Sequence, residues 1–331
     1  MRRTLPLLAL ATTLACTEEH PNDFTIELLG DEASLALLAR QELAVRDACE
    51  TPDRCVNEPC CVTQQIAVVG AGVDVPIAVA TVDGRSVIVS AQMAGDANLT
   101  VRATLDGVPV ETTRPLRVRA PDQVTLAAPI PERPDRRNDL ACLPPALFEV
   151  GTTGIIPYRA TAAGETLVTE GWMPVVSSGP AIRLSGLGGT TTQPTQQFVA
   201  DQVGEATIFA EVGQRSSVAL VAVDPGEYDG VRIGHPGEVG VGRSVRIEVP
   251  VQVDRQDVCN DAVSRVIYID TPDLCSFSTS QPSVAQPQPS RIDLPVGVLT
   301  ASLSGTQAGT CQLRVRVNGT NLEATASVSV R

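Results

Sequence analysis

The sequence contains no lysine, and it has few aromatic residues, few histidines and no long apolar run after its first residues. All 25 basic residues are arginine, 38 residues are acidic, and the net charge is −13. A surface this acidic repels phosphate backbones, which argues against a nucleic-acid partner. Aromatic residues make up only 3% of the chain. A packed core must therefore be aliphatic, and few rings are available to stack on sugars.

The scarcity of histidine and the missing parts of known motifs argue against catalysis. The only two histidines, His20 and His235, are not near a serine or cysteine in a pattern typical of a nucleophile with its base. Residues 65–72 (QIAVVGAG) resemble the start of a dinucleotide-binding fingerprint. The third glycine is absent and no amphipathic helix follows, so we expect a turn between two strands there. The sequence predicts no enzyme and no cofactor.

The first residues have the three parts of an export signal. Arg2 and Arg3 are positively charged, residues 5–14 are apolar, and Ala15 is small. Ten apolar residues are too few to span a bilayer, and no later run reaches the roughly 18 that a transmembrane helix needs. We therefore expect an exported chain whose signal peptide, residues 1–15, is removed.

Thr13-Leu14-Ala15-Cys16 resembles the lipobox of bacterial lipoproteins, although leucine is usual at Thr13 and a smaller residue at Leu14. The resemblance implies cleavage before Cys16 and lipid on Cys16, which would make the membrane a partner. The residue after the lipobox cysteine is Thr17, whereas an aspartate there would imply retention in the inner membrane. The resemblance therefore implies the outer membrane, on its periplasmic or surface face. The alternative is ordinary cleavage near Ala15, which leaves Cys16 as a plain thiol.

A strand-turn-strand pattern recurs three times along the chain. Its copies begin at Gly95, Gly204 and Gly309, spaced 109 and 105 residues apart. In each copy apolar and polar residues alternate, as in a strand with one buried face. A glycine turn and a second apolar run follow, which predicts a β-hairpin, with Asp106-Gly107 and Asn318-Gly319 as strong turn pairs.

The repeated hairpin resembles the C-terminal half of bacterial immunoglobulin-like domains. The resemblance implies an all-β fold of three tandem immunoglobulin-like β-sandwiches. The hairpin ends predict a tether over residues 16–23, then domains over residues 24–120, 121–224 and 225–331. Residues 32–43 break the β pattern, and their composition is compatible with one short helix or with two strands.

The nine cysteines are an odd number for an exported protein. Lipidation of Cys16 would leave eight candidates for disulfides in an oxidising compartment. These candidates are Cys49, Cys55, Cys60, Cys61, Cys142, Cys259, Cys275 and Cys311. The phrase D-x-C…T-P-D-x-C occurs twice and suggests Cys49–Cys55 and Cys259–Cys275 bridges. Cys142 is alone in its predicted domain, so we expect it to pair with a cysteine of the third domain.

Two groups of residues contain several side chains that can bind metals. The spacing from Cys49 to Cys61 does not match the C-x2–4-C pairs of zinc sites, and export oxidises thiols. Five aspartates concentrate in the early loops of the third predicted domain, without the D-x-D-x-D-G pattern of a calcium loop. They are Asp254, Asp257, Asp261, Asp270 and Asp273. We expect solvated acidic loops and no metal.

These features together predict an outer-membrane-anchored lipoprotein that acts as a binding module or structural spacer, with an unidentified protein or polysaccharide partner. One alternative is an accessory module of a carbohydrate-active or other envelope enzyme. Trp172 and Tyr158 exposed on one face with a further ring, or a pocket of convergent carboxylates, would favour it. The second alternative is a subunit of an envelope assembly, which a large exposed apolar patch would favour.

Overall fold

The structure, a computed structural model, describes residues 26–29, 34–47, 65–132, 142–189, 194–214, 216–277 and 290–331. The chain divides into two compact units. Unit 1 takes Met1–Glu32 and Arg40–Val118, and unit 2 takes Ala33–Ala39 and Arg119–Arg331. Within the described ranges, no helix is long and apolar enough to cross a membrane.

The described residues form strands and one short 3-10 turn, Pro225–Glu227. The first eight strands are β1 (Ile26–Leu29), β2 (Leu35–Ala36), β3 (Arg40–Asp47), β4 (Ile66–Val73), β5 (Ala78–Asp83), β6 (Ser86–Ala91), β7 (Gly95–Leu105) and β8 (Val108–Arg119). The next ten are β9 (Gln123–Leu126), β10 (Ile130–Pro131), β11 (Ala146–Glu149), β12 (Thr153–Ala162), β13 (Glu165–Thr166), β14 (Val175–Ser177), β15 (Ile182–Gly189), β16 (Pro194–Ala200), β17 (Gly204–Ala210) and β18 (Ser217–Val223). The last eleven are β19 (Gly230–Val231), β20 (Glu238–Val239), β21 (Ser244–Glu248), β22 (Val251–Val253), β23 (Gln256–Asn260), β24 (Arg265–Ile269), β25 (Cys275–Phe277), β26 (Arg291–Leu294), β27 (Thr300–Gly305), β28 (Gly309–Val317) and β29 (Glu323–Val330).

The three repeated segments form the antiparallel hairpins that the sequence predicts, β7–β8, β17–β18 and β28–β29. Their first strands alternate between buried and less buried residues, as the period of two requires. Each begins at a glycine, and at Gly309 the glycine is required. Its φ is 154°, and an added Cβ would lie 2.9 Å from Leu274 Cδ1. The repeat therefore reflects both strand burial and a recurrent backbone conformation at the strand start.

The two predicted turn pairs differ in the structure. Asp106 and Gly107 have φ of 47° and 85° and join β7 directly to β8, as in a two-residue hairpin turn with both central residues left-handed. Asn318-Gly319 instead lies in a longer connection, because the last pair of the β28–β29 hairpin is Arg316 with Glu323. The prediction of a turn at Asn318-Gly319 is confirmed, because these two residues are the central pair of a turn in which the Thr320 N–H donates to the Val317 carbonyl over 3.4 Å.

The prediction of a turn within residues 65–72 is wrong, because these residues run into β4 as one continuous strand. β4 pairs antiparallel with β7 from Ile66 to Val73, and the register shifts between Val68 and Gly70. Neither Gly70 nor Gly72 has a left-handed backbone conformation. The strand accommodates the glycines with a bulge, so the chain does not need to reverse.

The described part of residues 32–43, which begins at Ser34, contains strand residues of β2 and β3 and no helix. Leu35 and Ala36 are fully buried in β2, which belongs to unit 2, where the Ala36 N–H donates to the Val168 carbonyl over 2.8 Å. In β3, which belongs to unit 1, Leu43 and Val45 are buried. Helix-forming composition yields here to strand pairing, because burial on alternate residues outweighs weak intrinsic propensity.

The described residues 119–331 of unit 2 contribute to two hydrophobic clusters and form four sheets. One cluster lies between the six-stranded sheet around β12 and the strands β14, β17, β18 and β11. The second lies between the five-stranded sheet β20-β29-β28-β24-β26 and the three-stranded sheet β21-β27-β25. The predicted all-β fold of packed β-sheets is confirmed, whereas the division into three domains at residues 120 and 224 stays a prediction.

One sheet of unit 2 crosses the second of these predicted boundaries. Its order is β14-β17-β18-β11-β23-β22-β19, so strands from both sides of Asp224 share one hydrogen-bonded ladder. The central strand, β11, pairs in parallel with β18 on one side and β23 on the other. All four of its residues are buried, as in strands covered on both faces. We call residues 119–224 the N-terminal half of unit 2 and residues 225–331 the C-terminal half.

Candidate functional site

The two halves of unit 2 are joined covalently beside β11. Cys142, which is 5% exposed, forms a disulfide with Cys259 of β23, and their Cα atoms are 5.9 Å apart. Cys142 therefore pairs with a cysteine that the sequence placed in the third domain. Cys142 lies shortly before β11, and Cys259 lies in β23. The disulfide and the β11–β23 pairing therefore connect the two halves at the same place.

A second disulfide joins the two sheets of the C-terminal half. Cys275 of β25 and Cys311 of β28 are both fully buried, with Cα atoms 6.1 Å apart. The expected Cys259–Cys275 bridge is wrong, because Cys259 lies in the seven-stranded sheet whereas Cys275 faces the core between the other two sheets. Cys16, Cys49, Cys55, Cys60 and Cys61 lie outside the described residues, and the roles predicted for them stay predictions.

A buried carboxylate at the end of β11 organises the junction between the halves. Glu149 is 5% exposed, and its Oε2 accepts hydrogen bonds from the Tyr228 hydroxyl and, over 2.7 Å, from the Ala262 N–H. Burial raises the pKa of Tyr228 well above its usual range, and the Glu149 carboxylate raises it further. The phenol thus stays protonated and donates, tying the segment after Pro225–Glu227 to the N-terminal half.

A fully buried ion pair lies beside this network. The Arg265 guanidinium bonds the Asp261 carboxylate, and both side chains are 0% exposed. Arg265 also donates to the Val263 carbonyl over 2.9 Å, and the Val263 N–H donates to Asp261. Two buried charges are tolerated because each is neutralised and hydrogen-bonded by the other.

An amide side chain completes the junction. Asn260 Nδ2 donates to the carbonyls of Thr153, over 2.8 Å, and Glu132, over 3.2 Å. Thr152 Oγ1 is 3.4 Å from the Asn260 carbonyl and donates to the Glu149 carbonyl over 2.7 Å. The end of β23 is therefore bonded to the N-terminal half through side chains as well as through the ladder. Such a junction favours one fixed arrangement of the two halves.

A cleft opens beside the Cys142–Cys259 disulfide. Its volume is about 490 Å³, and it is partly open to solvent. Its apolar lining includes Leu147, Pro250, Val258 and Leu299, and its polar lining includes the side chains of β22, β23 and their connection. This is the size of many small-ligand sites, which combine apolar walls with a few polar groups.

Two charged groups at the cleft neutralise each other. Arg232 Nε lies 3.1 Å from both carboxylate oxygens of Asp257, and Gln252 Nε2 donates to Asp257 Oδ1 over 2.8 Å. The hydrogen bond to Asp257 raises the pKa of Arg232. The Asp257 carboxylate thus accepts hydrogen bonds from Arg232 and Gln252, and it fixes the positions of these two lining side chains.

Three of the five aspartates in the early loops form ion pairs with arginines. Asp257 pairs with Arg232, Asp261 with Arg265, and Asp270 with Arg314 over 3.3 Å. Within the described ranges, no group of three or more histidine, cysteine or acidic side chains is arranged to hold a metal ion. Asp257, Asp261 and Asp270 thus serve as ion-pair partners of arginines.

The rings considered for sugar binding point into the protein. Tyr158 is 5% exposed, and its hydroxyl donates to the Trp172 carbonyl over 2.8 Å. Trp172 packs against the core cluster of the N-terminal half. His235 lies in a turn where its Nδ1 accepts the Gly237 N–H over 3.0 Å. Tyr158 and Trp172 do not form an exposed stacking platform.

The sequence analysis did not identify the residues of the junction between the two halves, although the position of one of them, Arg265, indicated that it is buried. Arg265 occupies the same strand face as the buried Ile267 and Ile269, so it is an arginine in phase with inward apolar positions. Such a position requires a buried counter-charge. Glu149 and Tyr228 are far apart in sequence and had no comparable signal.

No protein-family profile matches the chain, and no curated protein matches it. Among solved structures, domains 4–9 of the surface layer protein SbsC are 11% identical over 92% of this chain and 47% of that chain, with a TM-score of 0.27. Invasin, a bacterial integrin-binding protein, is 12% identical over 92% of this chain and 58% of that chain, with a TM-score of 0.26. A β-glycosidase from Bacteroides vulgatus is 12% identical over 63% of this chain and 25% of that chain, with a TM-score of 0.34. The chain spans about half the length of the SbsC fragment, and these values assign it to no family.

Proposed function

We propose that the protein is a lipid-anchored module of the bacterial outer membrane, in which unit 2 is a rigid binding or spacer element. The observation that carries the proposal is the Cys142–Cys259 disulfide across the two halves of unit 2. Disulfides of this kind form and persist in oxidising compartments, so the bond supports export. The export signal and Cys16 then supply the anchor.

The junction supports a mechanical role for unit 2. A shared sheet, a disulfide and a buried network around Glu149 all act between the same two halves. A flexible linker would let two sandwiches rotate independently, whereas these bonds would have to break before unit 2 could bend. A rigid element holds a binding surface at a fixed distance from the membrane, which suits a spacer or a presented binding module.

We predict that Cys16→Ser releases the protein from membranes. Two or three acyl chains on one residue give stable anchoring, and loss of the acceptor thiol removes all of them. Cells expressing the full chain are fractionated, and the protein is followed by immunoblot in the soluble and membrane fractions. A protein that still pellets with membranes after Cys16→Ser would overturn the anchor. Thr17→Ser is the matched control and should remain in the membrane fraction.

We also predict that the mature protein has no free thiol. Lipid occupies Cys16, and the eight other cysteines form four disulfides because the compartment is oxidising. The protein is unfolded in denaturant without reductant and treated with a maleimide probe, and labelling is measured by mass spectrometry. Two or more labelled cysteines per chain would contradict this prediction, and labelling after reduction is the positive control.

A further inference from the structure

The connection between β22 and β23, at the cleft, holds two residues in an unfavourable conformation. Asp254 and Arg255 have φ of 51° and 66°, and Val253 pairs with Gln256 across them. A two-residue hairpin turn with both φ positive is usually made by Asn-Gly or a similar pair. An arginine in the left-handed region costs roughly 1 kcal/mol or more. The 3.0 Å hydrogen bond from the Asp254 N–H to Asp229 Oδ2 stabilises the turn and offsets part of this cost.

The strained arginine is the basic group of the cleft whose side chain has no partner among the described residues. Arg232, the other arginine of the lining, is engaged by Asp257. Arg255 is exposed, and its guanidinium makes no hydrogen bond or ion pair with any residue that the structure describes. Backbone strain kept at a position that presents a free charge to a cleft indicates a function for the side chain.

Besides its polar lining, which includes the Glu248 carboxylate paired with Arg246 over 3.6 Å, the cleft has an apolar part with one exposed hydrophobic residue at its edge. Leu147, Val258 and Leu299 are buried beneath it, whereas Leu143 is 84% exposed. Leu143 follows the disulfide-bonded Cys142, which limits how far it can move. The cleft thus places an apolar surface close to one available guanidinium.

We propose that this cleft binds a short extended peptide segment of a partner protein, which places an apolar side chain against Leu143 and a carboxylate against Arg255. Arginine binds carboxylates with strong, directed hydrogen bonds. A volume of about 490 Å³ accommodates a few residues. No aromatic side chain is among the described residues of the lining, which favours a peptide over a polysaccharide, since sugars are commonly bound by stacking on rings.

This inference extends the proposed function by naming a partner class, and it rests on that function only in treating unit 2 as a binding module. The cleft is independent of the lipid. Its test uses the purified full chain in mild detergent, so failure of the anchor and failure of the cleft give separate results.

The probe is a synthetic array of acetylated tetrapeptide amides, in which each member containing Asp or Glu has a twin containing Asn or Gln. We expect the protein to bind acidic members with an apolar neighbour about 10-fold more tightly than their twins, since a charge-assisted hydrogen bond contributes about that factor. Fluorescence anisotropy of the best pair gives the affinities. Trigalacturonate is measured alongside as an acidic saccharide.

Arg255→Gly is the decisive variant, because it separates binding from folding. Glycine relieves the turn, so the thermal midpoint should stay equal or rise, while the preference for the acidic twin should fall to about 1-fold. Arg243→Gly is the matched control, since Arg243 is an exposed arginine in the turn between β20 and β21. It should keep the preference. Leu143→Asp, at an exposed site, should weaken the acidic peptide without loss of folding.

Three outcomes would overturn the proposal. The first is that no peptide of the array binds at millimolar concentration. The second is that acidic peptides and their twins bind equally, or that Arg255→Gly keeps the preference. The third is that trigalacturonate binds through Arg255 and the peptides do not, which would assign the cleft to a polysaccharide.

Discussion

Replacement of both Cys142 and Cys259 by alanine is expected to lower the free energy of unfolding of unit 2 by about 4–5 kcal/mol, at the upper end for a disulfide. The two cysteines are 117 residues apart in sequence, so the bond closes a long loop. A long loop loses more conformational entropy in the unfolded chain than a short one when it is closed. The variant therefore gains freedom in the unfolded state, and the native contacts around β11 must hold the two halves alone.

The second disulfide provides the matched comparison. Cys275 and Cys311 are 36 residues apart, so the chain-entropy argument predicts that their replacement by alanine costs about 1 kcal/mol less. Urea unfolding followed by circular dichroism gives both free energies, and a variant with all four of these cysteines replaced by alanine gives the combined loss. Equal stability of the Cys142/Cys259 variant and the wild type would contradict a structural role for the bond at the junction.

Arg265→Met is expected to lower the free energy of unfolding by about 3–5 kcal/mol, because it leaves the Asp261 carboxylate buried without its counter-charge. Asp261 and Arg265 are each 0% exposed. Methionine fills most of the volume of the arginine stem, so packing changes little and the uncompensated charge dominates. The loss is measured by urea unfolding at neutral pH.

A second substitution tests whether charge is the cause. Combining Arg265→Met with Asp261→Asn removes the stranded carboxylate and keeps an oxygen to accept the Val263 N–H. The double variant should regain most of the lost stability, giving a coupling energy of about 2 kcal/mol or more in the double-mutant cycle. Additive losses would mean that the two side chains act through packing and not through their charges. Arg183→Met, at an exposed ion pair with Asp201, is the surface control and should change stability by less than about 1 kcal/mol.

The parts of the fold that were predictable are those encoded by local pattern. Strict alternation in the segments starting at Gly95, Gly204 and Gly309 needs no distant information, because a period of two specifies which face of a strand is buried. The composition of residues 32–43 was ambiguous because it has no such strict alternation. Its apolar residues satisfy helix and strand alike, and their burial in two different units decided the outcome.

The sequence predicted that Cys142 pairs with a cysteine of the third domain, but not which one, and it did not predict the candidate site, because both depend on chain segments far apart in sequence. The repeated phrase around Cys259 and Cys275 suggested a local bridge, yet β23 leaves the C-terminal half and joins β11. Once β23 lies in that sheet, Cys259 is next to Cys142 and distant in the fold from the core that holds Cys275. The cleft arises at the same place, where β22 and β23 lie against the N-terminal half.

The sequence by itself determined that this is an acidic all-β protein with three repeated hairpins, since each feature follows from neighbouring residues or from composition. Only the tertiary structure decided that β11 binds strands of both halves, that Glu149 and Tyr228 meet, and that Arg265 is buried with Asp261. Pairing between strands that are more than a hundred residues apart is set by the sum of many burial and hydrogen-bond contributions. No local pattern in the sequence reports that sum.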